Sequence, residues 1–530
     1  MQGFLEQIKK AKIGTIIPLT KVIENPINPV EFFTKISNYG RKKHSLLFES
    51  AEIKEKYGEL SLGTASPCLK IAGFKENFEI IALNPLGRQF LKFIKKDFGF
   101  CDNVKYTRDK ITGKLTPKRS IVSEAQRLKL KNHSDIIRQI AFKFKPLAYS
   151  EIPYTGLFGS INFDFIDQYE DLPKKETEYP SYELYFLDNL FITNHKENKT
   201  YIIANALVMD KKREETYKQC LSAIKFYEKA LASKIPKIKK PKLKKQLIET
   251  DTQKKDYESL INEIKKQITQ GYIFQAHPSR TIISSYNSEP LDIYAELKKI
   301  DSSPYMFFIN NSKGVLIGAS NHMFLKIKGE NEKIAETIAI SGTKPRGILN
   351  NSIDQELDSK YEAELRLDKG LLTQHAMLLD QARNDLAKIS KPATRAIEKS
   401  FMIEKFSNHQ CLVSALKGIL KEELDALHAY IAVMNPASFS GIPKIEAIKI
   451  LRENELSKRD FYGGIVCYMT PNRNFNSSVI ATSMFLANGK AQIKTGTNIV
   501  YDSISKNKFD ETENNAKVYL DAINKAGGLK

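Results

Sequence analysis

The chain has 530 residues, 42% of them hydrophobic and 27% charged, and its 82 basic against 62 acidic side chains give a formal net charge of +20. That length is enough for a large core and for two to four domains. No apolar run is long enough to span a bilayer, and the N-terminal residues 1–9 lack the charged-then-apolar plan of a signal peptide. Five scattered cysteines (Cys68, Cys101, Cys220, Cys411 and Cys467) form no C-x-x-C pair. This points to reduced thiols in a cytoplasmic protein and away from a disulfide framework or a zinc site.

Taken in chain order, residues 78–83, 184–192 and 200–207 read as strands, from short apolar runs of alternating character. Residues 216–233 read as a helix, with Tyr217, Leu221, Ile224 and Leu231 at helical spacing. A run of lysine, isoleucine and proline follows at 234–245, with two prolines and no aromatic residue. Basic clusters that read nucleic acid usually interleave stacking residues or lie on one folded face, so this run reads as a solvated linker. It divides the chain into an N-terminal region 1–233, a linker 234–250 and a second region 251–530. Beyond it, 256–270 is periodic through Leu260, Ile261, Ile264 and Ile268, and 291–300 is a second helix. Residues 315–319 and 323–327 read as strands. Helices are expected to dominate 353–453, strands to return at 464–469, 478–486 and 491–500, and a last helix to span 509–526. Strands and helices come in blocks without a strand-helix-strand rhythm, which favours α+β over a doubly wound sheet.

The most informative stretch is Thr373-Gln-His-Ala-Met-Leu-Leu-Asp-Gln-Ala-Arg-Asn-Asp-Leu386, with Ser341-Gly-Thr-Lys-Pro-Arg-Gly347 before it and Phe461-Tyr-Gly-Gly464 after it. Further segments stand in a characteristic order at 45–50, 156–165, 169–173, 271–280, 303–308, 424–430, 440–444 and 510–512. Together they resemble the large subunit of anthranilate synthase, a chorismate-binding enzyme, through nearly the whole chain. The resemblance implies two antiparallel β-sheets packed together and flanked by helices. It implies chorismate and ammonia as substrates and Mg²⁺ as cofactor. It also implies a separate glutamine amidotransferase small subunit as partner and L-tryptophan as feedback inhibitor, with no nucleic-acid or membrane partner.

The resemblance also assigns residues. Gln275 stands where family members that add water carry a lysine; an amide orients ammonia without taking its proton, whereas water needs a base. Ser50 with Pro304, Tyr305 and Met306 matches the two parts of the tryptophan site. Gly342, Thr343, Tyr462, Gly496 and Thr497 match substrate-contacting positions. Other positions are substituted. The four metal-binding glutamates correspond to Leu371, Gln374, Lys508 and Glu511, so weak metal binding or none is expected. The catalytic histidine corresponds to Cys411, an acidic residue to His322, a carboxylate-clamping arginine to Thr482, and the second glycine of a Gly-x-Gly loop, which gives backbone N–H groups to a substrate carboxylate, to Asn498. Fold positions match and charged catalytic positions do not. Two functions follow: an anthranilate synthase large subunit with impaired turnover, or an inactive homologue that keeps tryptophan or partner-subunit binding. A nucleic-acid-binding role rests on net charge alone.

Overall fold

The computed structural model describes residues 2–52, 58–118, 122–173, 175–238, 246–349 and 352–528. Residues 239–245 of the Lys/Pro run lie outside these. Successive residues of an extended chain point to opposite faces, so a strand buried on both sides is apolar throughout. Several strands here are of that kind, and they build two 12-stranded sheets. Leu46 and Leu47, or Phe307 and Phe308, illustrate the consequence. Leu46 and Phe307 pack between the sheets against Phe158, Tyr185 and Val466. Leu47 and Phe308 face outward beneath helices, with Phe33, Tyr227, Leu297 and Tyr519. On the outer face of the second sheet, Ile71, Leu184 and Ile465 pack with Phe90, Ile94, Ile136 and Ile140. The layers therefore run helix, sheet, sheet, helix. This is the α+β arrangement expected, with strand pairs antiparallel apart from Thr15–Ile23 beside Lys145–Pro146.

Each sheet takes strands from before and after the Lys/Pro run. In the first, Ser45–Glu49 pairs with Tyr305–Asn310, Met306 opposite Glu49. In the second, Gly156–Ile161 pairs with Ile465–Met469, Ile161 opposite Ile465. The last residues of the expected linker 234–250 join the first sheet, where Ile248–Thr250 pairs with Ser279–Ser285.

Three expectations are corrected. The apolar run 184–192 is two strands, Tyr182–Leu187 in the second sheet and Asn189–Asn194 in the first. The chain changes sheet at Asp188, whose backbone carbonyl accepts from the Asn205 amide at 2.8 Å. Residues 478–486 divide likewise into Phe475–Val479 and Ser483–Ala487, again in different sheets. Burial on both faces continues through each crossing, so hydrophobicity alone does not mark it. Finally, 353–453 is not all helical. After Gln355–Leu367 and Lys369–Ile389, the strands Ala396–Lys405 and His409–Ile419 form an edge hairpin. The outer strand is largely exposed and carries charges, so no period-2 burial pattern announces it. Among the described residues no helix is long and apolar enough to cross a membrane.

Candidate active site

Gln275 lies on the two-residue strand Gln275–Ala276, which pairs with Gly441–Ile442, and its side chain is fully buried. A buried amide must find partners, and this one finds three. Its Nε2 donates to the Ala437 carbonyl at 3.1 Å and to Asn498 Oδ1 at 3.0 Å. Its Oε1 accepts from Gln374 Nε2 at 3.1 Å. Asn498 Oδ1 also lies 3.0 Å from His277 Nδ1, and His277 Nε2 lies 2.7 Å from the Tyr462 hydroxyl. Since Oδ1 only accepts, Nδ1 carries the imidazole proton and Nε2 receives the tyrosine's. Burial, with the nearby charges of Arg459 and Lys508, lowers the His277 pKa to about 3, and burial raises that of Tyr462. Both groups are neutral near pH 7. A Cβ at Gly496 would fall 2.6 Å from the Pro278 carbonyl oxygen, 2.7 Å from His277 Nε2 and 2.8 Å from the Tyr462 hydroxyl. Close approach therefore explains the glycine there.

Gln374 arrives on the helix Lys369–Ile389, whose start is capped by Asp368 accepting from the Leu371 amide at 3.0 Å. His375 fastens this helix to the sheet: Nδ1 and Nε2 each lie 2.8 Å from a serine hydroxyl, Ser341 on one strand and Ser414 on its neighbour. The same helix packs Leu371 against Gly342, which has φ +60 at a bulge between Ser341 and Thr343. Thr343 is exposed and stands opposite Cys411 in the register. Cys411 is fully buried, in an apolar cluster with Met323, Ile338, Phe406 and Val413.

The last helix, Ser505–Ala526, brings Lys508 and Glu511 to the other side of the 496–498 loop. Lys508 Nζ lies 2.8 Å from Glu511 Oε2 and 3.4 Å from Thr497 Oγ1. The helix is docked by the buried Arg280, which donates to Thr512 Oγ1 at 2.9 Å and covers the Phe509 ring at 4.3 Å. His322 joins through aromatic packing. The Phe439 ring is 6.0 Å from His322, 5.1 Å from His277 and 5.7 Å from Tyr462. His322 borders a cavity of about 40 Å³ with Leu378, Asp385 and Ala437, and burial lowers its pKa to about 4. Thr482 is held elsewhere: its carbonyl accepts from the Tyr519 hydroxyl of the last helix.

Ser50, Pro304, Tyr305 and Met306 border one separate cavity of about 860 Å³, walled by both sheets. Ser50 is fixed through its backbone amide, which donates to Ser61 Oγ at 3.1 Å, and its hydroxyl, which donates to the Leu60 carbonyl at 2.9 Å.

Sequence reasoning missed the residues that hold this constellation. Arg459 and Glu455 form a buried ion pair at 2.7 Å. Arg459 also donates to the carbonyls of Phe439 and His277, while Glu455 accepts from the Ser279 amide at 2.8 Å. The Lys444 ammonium, buried, donates to the Met434 carbonyl at 2.9 Å and pairs with Asp385 at 3.1 Å. His277 sits two residues after Gln275, and Arg459 two before Phe461. His277 and Lys444 lie inside the segments 271–280 and 440–444 already singled out, without a role assigned to them there, and the signal for Arg459 was nearness to such a segment.

The residues do not fit the Mg²⁺ that the resemblance implies. Glu511 is already paired with Lys508, and Gln374, which donates its Nε2 to Gln275, could add only one neutral carbonyl oxygen. Among the described residues no group of three or more His, Cys, Asp or Glu side chains is arranged to hold a metal ion. A hard cation needs several oxygen donors, mostly carboxylates. The arrangement offers neutral hydrogen-bonding groups and one ammonium, so its chemical means are orientation and countercharge.

Residues 100–521 match the model of the chorismate binding enzyme family. Anthranilate synthase component 1 of Buchnera aphidicola subsp. Pemphigus spyrothecae is 33% identical over 503 residues, 94% of either chain. That of Escherichia coli (strain K12) is 31% identical over 500 residues, again 94% of either chain. The crystal structure of anthranilate synthase component I from Streptococcus pneumoniae TIGR4 superposes with a TM-score of 0.68 at 23% identity, covering 88% of this chain and 93% of that one. With these matches and the two-sheet architecture, the chain belongs to the chorismate-binding enzyme family, among relatives that are anthranilate synthase large subunits.

Proposed function

We propose that the chain is an anthranilate synthase large subunit whose turnover is severely reduced. It binds chorismate in the cytoplasm, directs ammonia from a glutamine amidotransferase small subunit onto the ring, and releases anthranilate and pyruvate. The observation that carries this reading is the meeting of Gln275 and Asn498, 223 residues apart, with Gln374, Tyr462 and Gly496 in one buried network. In this reading Gln275 orients ammonia, and the Gly496-Thr497-Asn498 loop with Tyr462, Gly342 and Thr343 receives chorismate. L-Tryptophan occupies the cavity at Ser50, its indole against Tyr305 and Met306. Mg²⁺ binds weakly.

Impairment follows from charge. Replacing the clamping arginine, the general base and most metal ligands by Thr482, Cys411, Leu371 and Gln374 removes several kcal/mol apiece, on the order of 10²–10³-fold in rate each. An inactive homologue is favoured by one further observation: Gln275 is engaged by Gln374, Asn498 and the Ala437 carbonyl, and both His277 nitrogens by Asn498 and Tyr462. Incubation with chorismate and ammonium, followed by anthranilate fluorescence, separates the two. Slow product formation supports the enzyme. No product, together with a tryptophan-dependent rise in melting temperature, supports the inactive homologue.

A further inference from the structure

Lys508 is an ammonium at the 496–498 loop whose described contacts leave it with capacity for a ligand. An ammonium has three donors. Glu511 Oε2 at 2.8 Å and Thr497 Oγ1 at 3.4 Å account for two of them. The Lys508 side chain is only 25% exposed, so its charge is less screened than that of a surface lysine. Its influence extends inward, since it is among the charges that depress His277. Thr497 is buried between Gly496 and Asn498, in the loop that the resemblance assigns to the substrate's carboxylate. The helix Lys369–Ile389 reaches this loop through neutral Gln374, which binds Gln275 beside Asn498, and carries apolar Leu371 three residues earlier. A divalent cation arriving here would meet one carboxylate, already neutralised, and a positive charge. A carboxylate would meet the same ion pair, through the ammonium's third donor and the Thr497 hydroxyl.

We infer that the Lys508 ammonium replaces the divalent cation as countercharge to the carboxylate of the bound ligand, so that this site takes chorismate without metal. The inference rests on the chorismate-binding reading. It goes beyond that reading in naming the group that neutralises the ligand and in removing the metal requirement. The glutamine at 374 and the leucine at 371 then belong to the same adaptation, because carboxylates there would draw Lys508 away from the ligand.

The test is titration calorimetry and thermal shift with chorismate, on the full chain, in EDTA and in excess Mg²⁺. The expected result is the same chorismate affinity in both. Lys508→Gln should weaken binding on the order of 10-fold, the loss of one charge-assisted hydrogen bond, while Lys508→Arg retains it. Both variants should melt with the parent when no ligand is present, since Lys508 is partly exposed. The combined variant Lys508→Glu, Gln374→Glu, Leu371→Glu should bind chorismate only with Mg²⁺. Binding by the parent that disappears in EDTA overturns the inference and leaves the chorismate reading standing, as does unchanged affinity in Lys508→Gln. Absence of chorismate binding under both conditions overturns both.

Discussion

Gly496→Ala tests whether the site is closed as described, because its cost can be worked from the contacts. A methyl at this position would stand 2.6 Å from the Pro278 carbonyl oxygen, 2.7 Å from His277 Nε2 and 2.8 Å from the Tyr462 hydroxyl. All three are well inside van der Waals contact. The carbonyl belongs to backbone paired with the Thr497 amide at 3.3 Å and bonded to the Tyr257 hydroxyl at 2.9 Å, so it cannot easily retreat. His277 and Tyr462 must then part. Overpacking costs about 1–3 kcal/mol, and leaving two buried polar groups unsatisfied adds about 1–3 kcal/mol. A loss of about 2–6 kcal/mol is therefore expected in urea unfolding, read from a lower midpoint at unchanged slope. The methyl clashes partly with the tyrosine hydroxyl, so Tyr462→Phe should lower the cost of Gly496→Ala by about 1 kcal/mol in a double-mutant cycle. Gly3→Ala, in the helix Gln2–Lys10 with nothing within 4 Å, serves as the control and should be stabilising by up to about 1 kcal/mol. A Gly496→Ala protein as stable as its parent, or a cost unaffected by Tyr462→Phe, would refute the packing account.

Glu455→Gln should destabilise the chain by about 3–5 kcal/mol, since it strands the buried Arg459 charge; an unshifted melting temperature would contradict the pairing. The histidines give a pH signature. Burial lowers His277 to about 3, and His322 and His375 to about 4, from 6.5. Below pH 6.5 the unfolded chain therefore binds more protons than the folded one. Stability should fall as pH drops from 6.5 towards 4, by up to about 1.4 kcal/mol per unit for each imidazole, and His322→Asn should flatten the slope. Stability flat over that window would exclude the buried neutral imidazoles. Tyr305→Ala should abolish the thermal shift produced by tryptophan and spare that produced by chorismate; loss of both would mean that the tryptophan and chorismate sites are not separate. Restoring Cys411→His, Gln374→Glu, Lys508→Glu and Thr482→Arg together should recover anthranilate formation from a trace or undetectable level by several orders of magnitude, and a folded but inert product would show that the lesion lies elsewhere.

Much of this protein could be read from the order of its residues. Helices such as Lys254–Thr269 and Ser505–Ala526 announce themselves because their buried positions, Tyr257, Ile261 and Ile264 in one and Ala516, Tyr519 and Ile523 in the other, recur at the period of a single local geometry. Motif order was enough to imply the two-sheet family fold. What the chain order could not convey is where a strand leaves one sheet for the other. At Asp188 and between Val479 and Ser483 both neighbouring layers are apolar, and a buried strand has the same composition whichever sheet it joins. The site was visible as separate substitutions at Gln374, Lys508 and Asn498, but their meaning lies in pairings, and those of Gln275 with Gln374 and Asn498 span 99 and 223 residues. That Gln374 binds Gln275, and that Lys508 faces Glu511 and Thr497, depends on how two helices dock against two sheets, through His375, Arg280 and Arg459. Local propensity acts over a few residues, whereas countercharge and hydrogen-bond satisfaction act through space, and the folded chain alone defines which groups are near.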